Sequence, residues 1–480
     1  MSEIDIKDIK RRSISGVLAL TSRSLILQII SFIGVFALTV FLSPEIFGVF
    51  FVVSAVVNFL NYFSDIGLAA ALIQKKEKLT DTDLKTTFTI QQVLVIIVVL
   101  LALSLSSSVA RFYHLSNDGL WLFRSLVFAF FLSSLKTIPS IILERRLEFN
   151  RLVIPQIVEA VFFYSLSVFL AWKGWGIRSF IFAVILRGAS GLITIYLIQP
   201  WRPAFSLNKK AAKNLLSFGV PFQLNSFLAL LKDDLLTIYL GRVLSFSQVG
   251  YIGWAKKWAE IPLRLVMDSV IKVTFSVYSR LQVYQEKLKK AINKALFFLF
   301  LIVFPMGIGL LFVIKPIVLL IPKYQKWEPA IISFYLFVMT SLFASFSTPL
   351  TNALNAIGKI KTTLKFMIFW TSLVWLLTPL FIILFGFNGV AGASLLMGLT
   401  SFLVVYIAKK HLQFDVLANI LPSFFSSMIM TVFLLFLKKD LSFTSRNLFL
   451  YILSGAIIYL VSLFIFFKKK VTFEFKSLFS

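Results

Sequence analysis

This sequence predicts an all-α polytopic membrane protein of about fourteen transmembrane helices, and three observations predict it. Hydrophobic residues fill 59% of the 480 positions while charged residues fill only 14%. With a mean hydropathy of +0.90, the chain carries more apolar surface than a water-soluble domain can bury. Apolar runs of about 20 residues follow one another, the length at which a helix crosses the hydrocarbon core; barrel strands would alternate over about 10. The cations, finally, gather in the short stretches between the runs, as loops flanking membrane helices require.

The runs fall at 14–42, 46–73, 84–109, 118–142, 153–172, 178–198, 213–240, 246–279, 293–321, 329–354, 361–385, 388–408, 416–437 and 446–467, numbered here as spans 1 to 14. Residues 1–12 are polar and mixed in charge, and the run after them is longer than a cleaved signal, so it is expected to remain as span 1. An even number of spans puts both termini on one side. If that side is the cytoplasm, the inner loops hold 29 Lys and Arg and the outer loops 10. An excess of that size in short loops predicts that both termini are cytoplasmic.

Spans 1 and 2 meet at a turn, Ser43-Pro44-Glu45, followed by Gly48, within the stretch from Val40 to Ile73. A weaker copy runs from Val243 to Tyr251, where Leu244, Ser245 and Gly250 align without a gap on Leu42, Ser43 and Gly48. Further along, Pro139 aligns with Pro349 and Gly174 with Phe387, so the offset rises from 202 through 210 to 213, as small loop insertions would make it. A parallel repeat of two six-span lobes is expected. The domains would be 1–200 (spans 1 to 6), 201–412 (spans 7 to 12) and 413–480 (spans 13 and 14 with a cytoplasmic tail). No segment reads as a linker or a soluble domain.

Several functions are excluded early. There is no cysteine, so disulfides and thiolate metal sites are out; the two histidines, His114 and His411, lie far apart in loops and make no metal-ligand pattern. The net charge of +27 does not point to nucleic acid, because the cations are spread over loops rather than gathered in a basic domain or arm.

The chemistry is expected inside the membrane. With residues near the span ends counted among the 39 loop cations, nine of the 48 remain deeper within spans: Arg23, Arg124, Lys136, Arg187, Lys232, Lys256, Lys257, Arg264 and Lys272. Six acids accompany them: Asp65, Glu159, Asp233, Asp234, Glu260 and Asp268. A charge at mid-bilayer costs at least ~2.5 kcal/mol, so such groups should face a wet cavity or one another. All of them lie in spans 1 to 8.

Span 8 carries Lys256, Glu260, Arg264, Asp268 and Lys272 at four-residue intervals with alternating sign. The stripe runs ~24 Å along the helix. It is either a self-neutralised ladder or the lining of a polar route, with Pro262 as a bend near its middle. Arg23, near the cytoplasmic third of span 1, can grip a phosphate bidentately or snorkel to the interface. Arg264 and Arg187 lie deeper, where snorkelling is harder, and are ligand-binding candidates, Arg264 ahead of Arg187. Asp65 is either a proton or Na⁺ site or the partner of Arg23. Lys232, Asp233 and Asp234 form either an outer gate or a solvated helix end. Glu159 and Lys136 can pair across spans 5 and 4. Tyr251, Trp254 and Trp258 on span 8 either stack on sugar rings or belong to an interfacial belt.

The run LSPEIFGVFFVVSAVVNFLNYFSDIGLAAALIQKKEKLTDTD, the stretch from Pro139 to Phe149 and the stretch from Gly250 to Pro262 resemble the Wzx-type polysaccharide flippases, in the branch of the colanic-acid exporter. The resemblance covers most of spans 1 to 12. It implies the fold of the multidrug/oligosaccharidyl-lipid/polysaccharide exporter superfamily (MATE-like): two six-helix lobes, with spans 1, 2, 7 and 8 lining a central cavity that would include Arg23, Asp65, Lys232, Lys256 and Arg264. The implied cargo is an undecaprenyl-pyrophosphate-linked oligosaccharide moved from the cytoplasmic to the periplasmic leaflet. Nine cations against six acids suit such an anion. Arg23 and Arg264 would then hold the pyrophosphate, with Lys256, Lys257, Arg187 and Lys232 as further cationic lining. Asp65, Glu260, Asp268, Asp233 and Asp234 would be ion-coupling or gating groups. No cofactor is expected beyond coupled H⁺ or Na⁺, and no enzymatic activity. A polymerase and a chain-length regulator of the same pathway are the partners that the family suggests. A lipid-II flippase differs only in cargo. A MATE-type drug exporter would want an acid-rich cavity, and a polymerase or glycosyltransferase a larger extramembrane loop.

Overall fold

The structure, a computed structural model, describes residues 25–64, 66–75, 77, 79–437 and 444–479. It divides into two compact units, residues 1–250 and 251–480. The first contains α1 (Leu25–Phe41), α2 (Pro44–Tyr62), α3 (Leu68–Gln74), α4 (Asp81–Tyr113), α5 (Asn117–Ser134), α6 (Thr137–Arg145), α7 (Phe149–Trp172), α8 (Arg178–Ile198) and α9 (Lys209–Val243). The chain passes from the first unit to the second within α10 (Phe246–Ala259). The second continues with α11 (Ile261–Leu281), α12 (Gln285–Leu320), α13 (Ile331–Ala356), α14 (Ile360–Phe385), α15 (Asn388–Leu399), α16 (Ser401–Lys409), α17 (Val416–Leu437) and α18 (Ser445–Phe479).

Among the described residues ten helices are long and apolar enough to cross a membrane, eleven if the bent pair α5 and α6 counts as one. Large apolar side chains point outward from them, Leu100 on α4 and Ile383 on α14 being 62% and 82% exposed, as lipid-facing residues are. The chain is a multi-pass membrane protein. Expected spans 1, 7 and 8 lie outside that set: α1 is described over a short length only, and span 8 is divided between α10, 14 residues long, and α11.

Four expected spans are interrupted rather than straight. Span 2 breaks between Tyr62 and Leu68, where Gly67 takes φ +74, a left-handed conformation that favours glycine. Span 4 breaks because Pro139 has no N–H for the carbonyl of Leu135, four residues back. The hydroxyl of Tyr196 on α8 donates to that carbonyl instead, at 3.1 Å, and α6 leaves α5 at 42°. Span 8 breaks at Glu260, just before Pro262. Span 12 breaks at Thr400, whose hydroxyl accepts from Trp370 Nε1 at 2.8 Å. Pro349, aligned with Pro139 by the repeat, lies inside an unbroken α13.

The turn before α2 is built as its residues dictate: Ser43 caps the helix by accepting from Ile46 N–H, Pro44 opens it and Glu45 lies in the first turn. Its copy uses a reciprocal cap, in which Gln248 N–H donates to Ser245 Oγ and Ser245 N–H donates to Gln248 Oε1. These two turns meet. A Cβ on Gly48 would strike the carbonyl oxygen of Phe246, and a Cβ on Gly250 would strike that of Pro44.

Each unit has its own core. In the first, Leu68 and Leu72 of α3 pack with Phe88 of α4 and Ile138 and Ile141 of α6. In the second, Leu296, Leu299 and Phe300 of α12 pack with Leu350 and Ala353 of α13 and with Val404 of α16. Helices α17 and α18 attach to α12 through Phe297, Leu434 and Leu463, and Tyr459 donates to the carbonyl of Leu301 at 2.8 Å.

Candidate functional site

The first unit encloses a cavity of about 630 Å³ walled by residues of α1, α3, α5 to α8 and the α5–α6 junction. Three charged side chains from three different stretches converge on it. Lys136 stands at the α5–α6 break that Pro139 creates, so its ammonium leaves the helix line and reaches Glu159 of α7, Nζ to Oε1 2.5 Å. The other carboxylate oxygen of Glu159 lies 3.7 Å from Arg187 Nε on α8. Lys136 and Glu159 are 15% and 13% exposed, whereas Arg187 is 57% exposed. The guanidinium also lies 5.8 Å from the ring of Phe163.

Glycine makes room for this cluster. A Cβ on Gly191 would collide with the carboxylate of Glu159, so the glycine four positions after Arg187 leaves the carboxylate its place between α7 and α8. A similar fit brings α1 against α7: a Cβ on Gly34 would meet the ring of Tyr164, whose hydroxyl is hydrogen-bonded to Ser31 at 2.8 Å. Gln156, three residues before Glu159 on α7, also lines the cavity, and its Oε1 is buried without a hydrogen-bond partner among the described residues. The arrangement is a polar chamber with one exposed guanidinium, and an arginine so placed can hold a carboxylate or a phosphate in two-point geometry.

Elsewhere in the first unit α2 and α9 lie side by side. Tyr62 donates its hydroxyl to the carbonyl of Gln223 at 2.6 Å, and Gln223 Nε2 donates to the carbonyl of Tyr62 at 3.0 Å. Asn58 Nδ2 donates to Asp234 Oδ1 at 3.4 Å, so Asp234 is engaged by α2 rather than simply solvated. Asp233 is exposed, and the half-buried Lys232 makes no ion pair among the described residues.

In the second unit the alternating stripe of span 8 continues across its break, because Glu260 N–H donates to the carbonyl of Lys256 and Arg264 N–H to that of Glu260. One rung is described: Arg264 donates from Nη2 and Nε to Glu260 Oε2 at 2.7 and 3.0 Å. Arg264 is 67% exposed. Lys256 and Lys257 are exposed in the last turn of α10.

The expected pair Lys136 and Glu159 therefore forms, and Arg187 joins it. Arg23 and Asp65 lie outside the described residues, as do the side chains of Asp268 and Lys272. Trp254 requires a correction. It is 2% exposed, stacked 5.3 Å from Trp327 and donating to the hydroxyl of Tyr324 at 3.1 Å, so it is a core residue and neither a sugar platform nor part of a belt. Sequence reasoning missed Gln156 and Gly191, although the spacing of Gln156 and Glu159 on one face of an otherwise apolar helix was a usable signal.

Known proteins share this fold. The solved structure of the lipid II flippase MurJ in an inward closed conformation matches with a TM-score of 0.75, covering 94% of this chain and 99% of that one at 16% identity. An inward-facing multidrug resistance MATE family transporter matches at 0.61, over 81% of this chain and 99% of that one, also at 16% identity. In sequence, the lipopolysaccharide biosynthesis protein WzxC of Escherichia coli K12 is 24% identical over 393 residues, 81% of this chain and 78% of its own. The family model described as "Polysaccharide biosynthesis protein" matches residues 37–332, well over half of the chain, and the chain belongs to that family.

Proposed function

We propose that this protein is a flippase that moves undecaprenyl-pyrophosphate-linked oligosaccharide units from the cytoplasmic to the periplasmic leaflet of a bacterial inner membrane. The observation that carries the reading is the family match over residues 37–332, in a chain whose intramembrane charges are nine cations against six acids. A pyrophosphate crossing a low-dielectric region needs cations held there in advance, and a cationic drug would need the reverse. Both termini are cytoplasmic in this reading. The fourteen spans comprise two six-span lobes, residues 1–200 and 201–412, and a two-span appendix, 413–480. Transport proceeds by alternating access.

Arg23 and Arg264 are assigned to the pyrophosphate, and Lys256, Lys257, Arg187 and Lys232 to the cationic lining. Asp65, Glu260, Asp268, Asp233 and Asp234 are assigned to coupling with H⁺ or Na⁺ or to gating. No other cofactor and no catalytic step is invoked. A polymerase and a chain-length regulator of the same pathway are proposed as functional partners. The likeness to MurJ across 94% of the chain favours a second reading that differs only in cargo, namely lipid II.

The test is the amount and sidedness of lipid-linked oligosaccharide in a strain lacking the protein, with and without a plasmid copy. Complete units should accumulate on the cytoplasmic leaflet and be cleared by the plasmid, and the accumulated glycan names the cargo. Unchanged surface polymer, with complete units still reaching the periplasm, would sink the proposal. Wild-type export by the double variant Arg23→Ala/Arg264→Ala at normal expression would remove the two arginines from the site.

A further inference from the structure

The cavity of the first unit contains an anion of its own beside the cation that a phosphate would use. The two contacts of Glu159 are unequal: Lys136 is hydrogen-bonded at 2.5 Å, while Arg187 comes no nearer than 3.7 Å, Nε to Oε2. The terminal amino groups of Arg187 donate to no described residue, and the side chain is the exposed member of the cluster. We propose that Glu159 is a built-in stand-in for an anionic headgroup: its carboxylate holds Arg187, and a phosphate or pyrophosphate takes Arg187 over by exchange while Lys136 continues to neutralise Glu159.

The electrostatics favour exchange over simple addition. Stripping a partner from a buried ion pair strands a charge and is costly, but Glu159 loses only its weaker contact and keeps the ammonium. Arg187 trades a long contact for a bidentate hydrogen-bonded one, the geometry that a guanidinium forms with a phosphate. Gln156 supplies a second group. Its Oε1 is buried without a partner among the described residues, and rotating the amide presents an NH₂ donor to the same anion. At about 630 Å³ the chamber falls in the range of small-molecule sites, roughly 300–1,000 Å³. Glu144 is the other acid that lines it; lying eight residues from Lys136 along α6, ~12 Å away by helical rise, it does not share the cluster.

Exchange also explains why the cation is paired at all. A bare arginine would hold a pyrophosphate tightly and release it slowly, whereas a carboxylate poised to return lowers affinity and speeds release. Glu159 is thus a positioning residue that sets how tightly Arg187 binds. This deepens the flippase reading and rests on it for the identity of the lipid, but not for the exchange itself.

The experiment measures binding to the full chain in lipid nanodiscs with three probes: inorganic pyrophosphate, a polyprenyl pyrophosphate and the unphosphorylated polyprenol. The wild type should bind the phosphorylated probes and not the alcohol. The double variant Lys136→Gln/Glu159→Gln removes the stand-in and its ammonium together, so no buried charge is stranded, and should bind pyrophosphate about tenfold tighter, the effect of deleting one competing anion. Gly191→Ala, which displaces the carboxylate without removing it, should move affinity in the same direction by less. Arg187→Gln should lose about tenfold or more.

Equal binding of inorganic and lipid pyrophosphate assigns recognition to the phosphates alone. Binding of the lipid form only assigns it to a lipid headgroup. Unchanged or weaker binding by both the double variant and Gly191→Ala overturns the exchange, as does binding of the alcohol with neither phosphate. Tighter binding in these variants, in a chain that moves no lipid-linked glycan in cells, leaves the exchange standing and removes the flippase reading. Glycan export without the affinity change does the opposite.

Discussion

Two of the described ion clusters are made in opposite ways. In the first unit Lys136, Glu159 and Arg187 come from a helix break and two helices, and two of the three are mostly buried. In the second, Glu260 and Arg264 are neighbours one turn apart along span 8, with Arg264 largely exposed. A cluster assembled by tertiary packing depends on every partner, because removing one leaves a charge in a low-dielectric interior. A pair one turn apart loses less, because its arginine is already largely solvated and its carboxylate only half-buried. The first should therefore be a structural commitment, and the second should contribute little to stability.

The largest effect expected from this contrast is at Lys136. Lys136→Met alone should destabilise the protein by about 3–5 kcal/mol, while Lys136→Met/Glu159→Leu should recover most of that loss. Unfolding in detergent micelles, followed by thermal melting, measures both; a single variant as stable as the double would erase the distinction. Next comes the helix break itself. Tyr196→Phe leaves the carbonyl of Leu135 without its donor and should cost about 1–3 kcal/mol by the same measurement.

An ordinary cap in the same unit gives the scale. Thr80 accepts from Asp83 N–H at 3.1 Å while the carboxylate of Asp83 accepts from Thr80 N–H and from Lys75. Thr80→Ala should cost about 1 kcal/mol. Smallest is the second-unit pair, where Arg264→Ala should change stability by under about 1 kcal/mol, given solvent screening. Export of surface glycan in the same variant should fall about tenfold or more, the loss of a charge-assisted bond to a phosphate. A stability loss as large as that of Lys136→Met would merge the two regions into one class.

This contrast also divides what the sequence reveals from what it hides. The stripe from Lys256 to Lys272 was visible because its members share one helix, and four-residue spacing is a local signal. Pro262 and the turn at Ser43 were readable for the same reason: a missing N–H or a capping hydroxyl acts within a few residues of itself. The pairing of Lys136 with Glu159 could be anticipated from charge balance between adjacent spans. The roles of Gly191 and Tyr196 could not. Each acts on a partner 32 or 61 residues away, and no periodicity links a glycine to a carboxylate or a hydroxyl to a distant carbonyl. The burial of Trp254 escaped for a related reason, since an aromatic residue on a polar helix reads alike whether it meets a sugar, a headgroup or another tryptophan. Pro139 and Pro349 show the limit of the repeat: sequence aligns them, yet only Pro139 opens its helix.

The meeting of the two turns has one more consequence. Gly48 receives the carbonyl of Phe246 and Gly250 receives that of Pro44, so each copy of the motif gives the other what it takes. A contact of that form is isologous, the kind that identical subunits make about a two-fold axis. The chain meets itself there as a homodimer would, and the two glycines are tied to a shared fate: a side chain tolerated at one would require its counterpart's backbone to retreat.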